Sequence, residues 1–469
     1  MKLTPVPTST HLTTSEPRIP GPSGLPLLGN MHQLLHDNLG FVVQMAHEYG
    51  DVVRYRLGPM PIYQINSPEG VQHILQDNNQ NYSKDSLNFG SVKKVFGNGL
   101  LSSHGEFWLR QRRLMQPVFH RRRVATFGEL MSKASEEHLA HWAQKTGDQA
   151  PLDIQEAMMA LTLDIVLQAL FNTRIGDEVE KFGKAVTTLL ADMTFRFLHP
   201  YYPPVQVPTL RNRGFLRALK TLEEVIYQLV DERRQLLAQG NTEQIPDDLL
   251  TLLIQARDEE TGEGMSDRQL RDETLTLYIA GHETTALTLT WACYLLARHV
   301  NVAQRLEEEV AQVLAERSPT LADLPQLPFL RSVVDETQRL YPPAWILNRQ
   351  SIGEDEIGGY RIPAHSFVAF SPYVLHRHPE HWENPAEFDP ERFVPERVRQ
   401  RHRYAYLPFG GGPRQCIGRD FALCEAQLIL ATVLQRYRLH LLPGFTVQMQ
   451  PLITLRPLHG LPMMLEPRS

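Results

Sequence analysis

The stretch that most constrains this chain is Phe409-Gly410-Gly411-Gly412-Pro413-Arg414-Gln415-Cys416-Ile417-Gly418. Three consecutive glycines let a backbone run close to a flat ligand and take positive φ. The residues after Gly418 read as a long helix, whose free N–H groups and partial positive charge point towards the Cys416 sulfur. That geometry favours thiolate over thiol, each pKa unit being worth about 1.4 kcal/mol. A lone cysteine is more often just a small buried hydrophobe. Zinc lacks its ligands, because Cys424 is the only nearby thiol and no histidine pair completes a set of four. A nucleophilic cysteine has no histidine or asparagine motif to announce it.

A chain of 469 residues would divide by length alone into about three domains. Nothing else supports a split. Apolar residues make up 42% and recur along the whole length, so one large core is expected. A net charge of −6 excludes a globally basic, nucleic-acid-coating protein. The three cysteines (Cys293, Cys416, Cys424) are too few and odd in number for a disulfide framework, which fits a reducing, cytoplasmic setting. No run approaches the roughly 20 apolar residues of a membrane span. Residues 1–17 are polar and Pro/Thr-rich, with no signal-peptide core. They read as a flexible leader, and 18–469 as a single domain without a membrane anchor.

Periodicity predicts a helix over Leu39–Tyr49, then strands over Asp51–Arg56 and Ile62–Ile65 around a Gly58-Pro59 turn. From Phe107 to Arg257 the pattern is mostly helical, with breaks at Thr146–Asp148 and His199–Pro208. Ser266, with Gln269 three residues on, caps a helix running to about Val300, roughly 50 Å long. A further helix ends before Pro342-Pro343, and short strands surround Ile357–Ile362 and Phe367–Ser371. Arg377–Tyr406 is charged, Pro-rich and irregular, and its length makes sense only if it wraps something functional.

The long helix carries Ala280-Gly281-His282-Glu283-Thr284-Thr285. Adjacent Thr hydroxyls can bond back into a helix and open a local bulge. Glu283 and Thr284 form an acid–alcohol pair able to pass protons. In an arbitrary helix they would be ordinary residues, with the acid facing water. Glu336 and Arg339 are three apart and share a helix face. His104, Trp108 and Arg112 follow i, i+4, i+8 spacing, and an indole N–H beside a guanidinium fork suits a carboxylate.

Taken together, these segments resemble the cytochrome P450 superfamily. Its F-x-x-G-x-R-x-C-x-G signature is met at Phe409, Gly412, Arg414, Cys416 and Gly418, a match whose chance occurrence in the chain is on the order of 10⁻⁴. The A/G-G-x-D/E-T-T and E-x-x-R patterns are also met. Pro390-Glu391-Arg392-Phe393 resembles the segment whose Arg joins the Glu336–Arg339 pair. The resemblance spans residues 18–466. It implies a mainly α fold with small β-sheets (α+β), with a long central helix over haem b, iron protoporphyrin IX. Cys416 becomes the axial iron ligand, whose electron donation assists O–O cleavage.

The same resemblance makes Arg414, Trp108, Arg112 and His104 partners of the haem propionates, with Arg349 reaching the second one. Phe409, Ala280 and Gly281 border the haem, Gly281 by leaving room for a diatomic ligand. Thr284 and Glu283 pass protons to dioxygen, Thr285 supports them, and His282 is structural. Glu336, Arg339 and Arg392 lock the irregular section against the core. Implied activity is insertion of one oxygen atom of O2 into a small apolar substrate by hydroxylation or epoxidation. Fatty acids, terpenoids or steroids, and polyketides all fit a pocket of Leu87, Phe89, Phe195, Phe197, Leu277, Ala280, Trp345, Ile346, Leu452 and Ile453.

No G-x-G-x-x-G opens a βαβ unit, so electrons are expected from a separate ferredoxin- or flavodoxin-type protein. Arg110, Arg112, Arg113, Arg121, Arg122 and Arg123, with Arg397, Arg399, Arg401 and Arg403, predict a basic face that steers an acidic donor. A monomer without nucleic-acid partners is expected. Three alternatives stay open. A peroxide-driven peroxygenase or fatty-acid decarboxylase of the same fold usually lacks the acid–alcohol pair. A non-catalytic haem-binding sensor needs no proton relay, and a cysteine hydrolase predicts colourless protein.

Overall fold

The computed structural model describes residues 18–468 apart from 85–92, 94, 95, 147–149, 173–176, 200, 201 and 241–244. The expected leader, 1–17, lies outside the described residues. Asp37 starts helix α1 (Asn38–Tyr49) by accepting from the Gly40 N–H at 2.8 Å. Alternating side chains then give β1 (Val52–Leu57) and, after the Gly58-Pro59 turn, β2 (Met60–Ile65), with a short β3 at Tyr82–Ser83. The helical region holds α2 (Gly105–Met115), α3 (Gly128–Thr146), strand β4 (Leu152–Asp153), α4 (Ile154–Phe171), α5 (Asp177–Leu198) and α6 (Leu210–Ala238). It continues through α7 (Leu249–Gln255), α8 (Asp267–Arg298), α9 (Val300–Leu314) and α10 (Pro328–Leu340).

Strands β5 (Leu347–Ser351), β6 (Asp355–Ile357), β7 (Tyr360–Ile362) and β8 (Phe367–Phe370) come next. After the irregular section lie α11 (Arg419–Arg436), β9 (Tyr437–Leu441), β10 (Met449–Pro451), β11 (Leu455–Pro457) and β12 (Pro462–Pro467). The largest sheet has the order β1-β2-β8-β5-β3, with β2 and β8 parallel. A smaller one runs β4-β12-β9, and β6–β7 and β10–β11 are hairpins. The molecule is therefore mainly α with small sheets, as expected.

Helix α8 is the axis of the core. Ser266 Oγ accepts from Gln269 N at 3.3 Å and Gln269 Oε1 accepts from Ser266 N at 2.8 Å, the reciprocal cap read in the sequence. Most of α8 is buried, and α4 packs across it. Thr162 Oγ1 of α4 donates to the His282 carbonyl at 3.0 Å. Gly281 is where the two helices meet: a Cβ there would lie 2.9 Å from Val166 Cγ2. By length and composition α4 could cross a membrane, which corrects the expectation that no run approaches a span. Its residues are mostly buried inside the protein, so here it acts as a core helix.

The expected bulge is absent. Helix α8 runs unbroken through Ala280–Thr285. Thr284 Oγ1 donates to Ala280 O at 2.9 Å and Thr285 Oγ1 to Gly281 O at 3.3 Å. These bonds share the carbonyls with the backbone ladder and do not displace it.

Candidate active site

The glycine-rich loop delivers Cys416 to the floor of an interior cavity of about 340 Å³. Cys416 N donates to Phe409 O at 2.9 Å, closing the loop ahead of α11. Gly412 sits at φ +66°, and a Cβ there would lie 1.8 Å from Leu75 O. This glycine is thus demanded by neighbouring backbone as well as by any ligand. The Cys416 side chain opens onto the cavity, not onto bulk water. Burial pushes its thiol up, against the Gly418 N–H, Arg112, Lys84 and Arg419, which pull it down. The helix end alone therefore does not produce the expected thiolate. A metal cation at the sulfur reverses that balance.

Four cations gather on the same floor. Arg112 Nη1 donates to Gln415 O at 2.9 Å. Arg414 lies 4.1 Å over the Trp108 ring and donates from Nη2 to Ser103 O at 3.0 Å. Its Nη1 is buried without a partner. Burial pulls Arg414 down to about 10. Arg349, on β5, is pulled down to about 9 by burial and then by Arg414. Lys84, which the sequence reading missed, donates to Leu101 O at 3.4 Å. Burial, then Arg349 and Arg414, hold it well below the ordinary lysine range. No Asp or Glu stands among the described residues lining the cavity. A buried guanidinium with an unpartnered N–H, as at Arg414, is costly, so this donor set calls for an anionic ligand. With one sulfur open to a metal, it fits a flat cofactor carrying acidic groups on its edge.

The facing wall is apolar. Leu277, Ala280 and Gly281 of α8 and Val166, Ala169 and Leu170 of α4 line it, and Thr284 is there with its hydroxyl turned back to Ala280 O. Glu283 does not join Thr284: its Oε1 accepts from Thr454 Oγ1 at 2.7 Å, outside the cavity. Adjacent helical residues point about 100° apart, so the two cannot share one direction. His282 is structural, as expected, with Nδ1 on Tyr278 O at 3.1 Å. Glu425 on α11 is fully buried beside Thr285, and burial pushes its carboxyl well above the usual range. No spacing in the sequence singled it out.

Behind the floor stands the expected lock. Arg339 meets Glu336 through two bonds of 2.6 and 2.8 Å, both side chains being fully buried. Its remaining donors reach His376 O, Pro385 O and Glu387 O at 2.7–2.8 Å. Arg392 Nε is 3.4 Å from Glu336 Oε1, a charge contact without hydrogen-bond geometry. His376 was not foreseen. Its Nε2 accepts from Leu407 N at 2.8 Å, so Nδ1 donates to Arg339 O at 3.1 Å. Burial pulls this imidazole down to about 3.

Cys416, Trp108, Arg112, Arg349, Arg414, Phe409, Leu277, Ala280, Gly281 and Thr284 thus share one cavity. Others fall elsewhere. His104 is the residue before α2, extended and exposed, so it leaves the Trp108/Arg112 stripe. Trp345 is buried in the sheet core and donates to Leu452 O at 2.9 Å; Ile346 packs in the same core and Leu452 is buried. Ile453 is 49% exposed. Phe195 stacks on His199 and under Arg211, away from the cavity. Leu87, Phe89 and the Phe197 side chain lie outside the described residues. The predicted basic face is largely neutralised: Arg110 meets Glu263, Arg113 meets Asp258 and Glu260, and Arg123 meets Asp247. Arg397 meets Asp389, Arg399 meets Glu396, and Arg401 covers Trp382. Among the described residues Arg121, Arg122 and Arg403 stay exposed without an ion pair.

The family model described as Cytochrome P450 matches residues 19–459. Cyclooctatin synthase of Streptomyces melanosporofaciens is 37% identical over 450 residues, 95% of each chain. Cyclooctat-9-en-7-ol 5-monooxygenase of the same organism is 35% identical, over 91% of this chain and 90% of that one. The crystal structure of the cytochrome P450DA heme domain superposes with a TM-score of 0.87 at 28% identity, covering 96% of this chain and 97% of that one.

Proposed function

The chain belongs to the cytochrome P450 family as one of its monooxygenases, and from that premise we propose that it oxidises a cyclic terpenoid, with haem b held at Cys416. One observation carries the reading: the Cys416 sulfur opens onto the cavity that also gathers Lys84, Arg112, Arg349 and Arg414, with no carboxylate among the described lining residues. In this reading Cys416 would hold the iron through its sulfur, and Lys84, Arg112, Arg349 and Arg414 would meet the propionates. The unpartnered Nη1 of Arg414 is the clearest vacancy for such an oxygen. Trp108 holds Arg414 in place through its ring face. The haem, when bound, supplies the activation of dioxygen.

The other wall deals with substrate and protons. Leu277, Ala280 and the α4 side chains exclude water and match an alicyclic skeleton. Every cation among the described lining residues belongs to the floor, so none is left for a fatty-acid carboxylate. That favours the terpenoid class, to which the cyclooctatin enzymes' substrates also belong. Thr284 can release Ala280 O and hold or move a proton at Oγ1. Glu283, tied to Thr454, can assist only after that bond opens. Electrons come from a separate ferredoxin- or flavodoxin-type protein, met at Arg121, Arg122 and Arg403; the setting is cytoplasmic and the chain a monomer.

Purified protein, reduced and exposed to carbon monoxide, should show the red-shifted Soret band of a thiolate haem, and Cys416→Ser should lose it. Retention of that band by the serine variant sinks the ligand assignment. Cyclic terpenoid hydrocarbons and alkenols should shift the iron spin state and fatty acids should not. The reverse ranking sinks the substrate class. Turnover that does not fall as salt rises removes the charge-steered donor.

A further inference from the structure

Two residues after the buried His376, the chain begins a tight turn that has no part in the cavity. His381 N and Trp382 N donate to His378 O at 3.1 and 3.0 Å, which brings side chains 378 and 381 to one side. The two imidazole rings are 5.2 Å apart, inclined at 42°. The ligand atoms of His378, Glu380 and His381 all lie within 4.8 Å of one another. His378 Nδ1 accepts from Glu380 N at a long 3.3 Å, which leaves the hydrogen on Nε2, 3.7 Å from Asp51 Oδ1. The lone pair is held only by that long backbone N–H contact, which a cation at Nδ1 would displace, while the ring N–H lies towards the Asp51 carboxylate, on the side from which metal-bound histidines are oriented.

We propose that His378, Glu380 and His381 form a surface site for one divalent transition ion of the zinc class, with Asp51 orienting His378. Two imidazoles and a carboxylate suit that class and leave a fourth position for water. A bound ion tethers the start of β1, through Asp51, to the segment between His376 and Trp382, both packed against the lock. The site is independent of the haem and of the proposed substrate.

The test titrates zinc ion alone into the holoenzyme by calorimetry. One zinc per chain is expected, with a raised thermal midpoint. His381→Ala and Glu380→Gln should each weaken binding by at least about tenfold, and Asp51→Asn by a comparable factor. His440→Ala, at the separate His440–Glu466 pair, should bind as the parent does. An unchanged carbon monoxide spectrum certifies that each variant is folded. No saturable one-to-one binding, or binding unmoved by His381→Ala, overturns the proposal.

Discussion

On the sulfur side of the cavity, Arg339 alone makes five hydrogen bonds, to the Glu336 carboxylate and three carbonyls. On the opposite side, Leu277, Ala280, Val166 and Leu170 present only carbon to the same space. The first wall is held by directional bonds, each fixing a residue type and a distance. The second is held by packing, which tolerates exchange among side chains of similar volume. Strength and specificity are therefore divided: one wall keeps its geometry whatever the substrate, and the other can be re-cut to fit one.

The largest effect expected from this contrast is at Glu336. Glu336→Ala strands Arg339 in the interior, which costs about 3–5 kcal/mol when a buried pair loses one partner. Since whole domains are stable by only about 5–15 kcal/mol, little protein should bind haem. Denaturant unfolding and the yield of carbon-monoxide-binding protein read this. Leu277→Ala should cost less, because the removed carbons already border a cavity and its walls need not collapse. If Leu277→Ala proves the more damaging, the division between the walls is broken.

The same contrast explains what the sequence made legible. Cys416, Arg414, Glu336, Arg339 and Arg392 could be read because bonded geometry demands a chemical type at a fixed spacing. Ser266 and Gln269 announced α8 for the same reason. That Trp345, Ile346, Phe195 and Ile453 lie off the cavity was not legible, since an apolar residue, whether in a loop or on a helix such as α5, carries no sign of which void it faces. Lys84 and His376 were missed for another cause. Each meets its partners across more than a dozen residues of chain, Lys84 near Arg349 and Arg414 and His376 between Arg339 and Leu407. That Glu283 stands apart from Thr284, bonded to Thr454, was hidden because a pattern of adjacent letters ignores the turn between adjacent helical side chains.

His376 gives the next effect in size. Its folded pKa, about 3, lies below the ordinary 6.5. The neutral ring therefore adds stability that is present above about pH 6.5 and lost as pH falls towards 3. Near 1.4 kcal/mol per pH unit, the loss between pH 6.5 and 5 amounts to about 2 kcal/mol. Unfolding curves for wild type and His376→Gln across that window should converge as the pH drops. Parallel curves would mean that the sulfur-side wall does not rely on a neutral imidazole.

Thr284→Ala moves the comparison to the apolar wall, where the Thr284 hydroxyl is turned back to Ala280 O at the edge of the cavity. Product should fall roughly tenfold while reductant and O2 are still consumed, equivalent to about 1.4 kcal/mol. A water can take the hydroxyl's place, which keeps the loss below the full range for a lost acid–base group. Unchanged coupling of product to O2 consumed would count against Thr284 as the proton carrier, and stability should not register the change.

The smallest effect sharpens the boundary of the second wall. Ile453 is half exposed and outside the cavity, so Ile453→Ala should alter stability by no more than about 0.5 kcal/mol. It should also leave the spin-shift titration of a cyclic terpenoid within about twofold. Leu277→Ala, made on the lining itself, removes contact area worth about 1–3 kcal/mol and should weaken that titration by tenfold or more. A response from Ile453 equal to that from Leu277 would mean that the pocket extends past Thr454 to the strand ends. The bond from Thr454 to Glu283 would then be part of the substrate wall, and Glu283 would be far closer to the chemistry than its present partner allows.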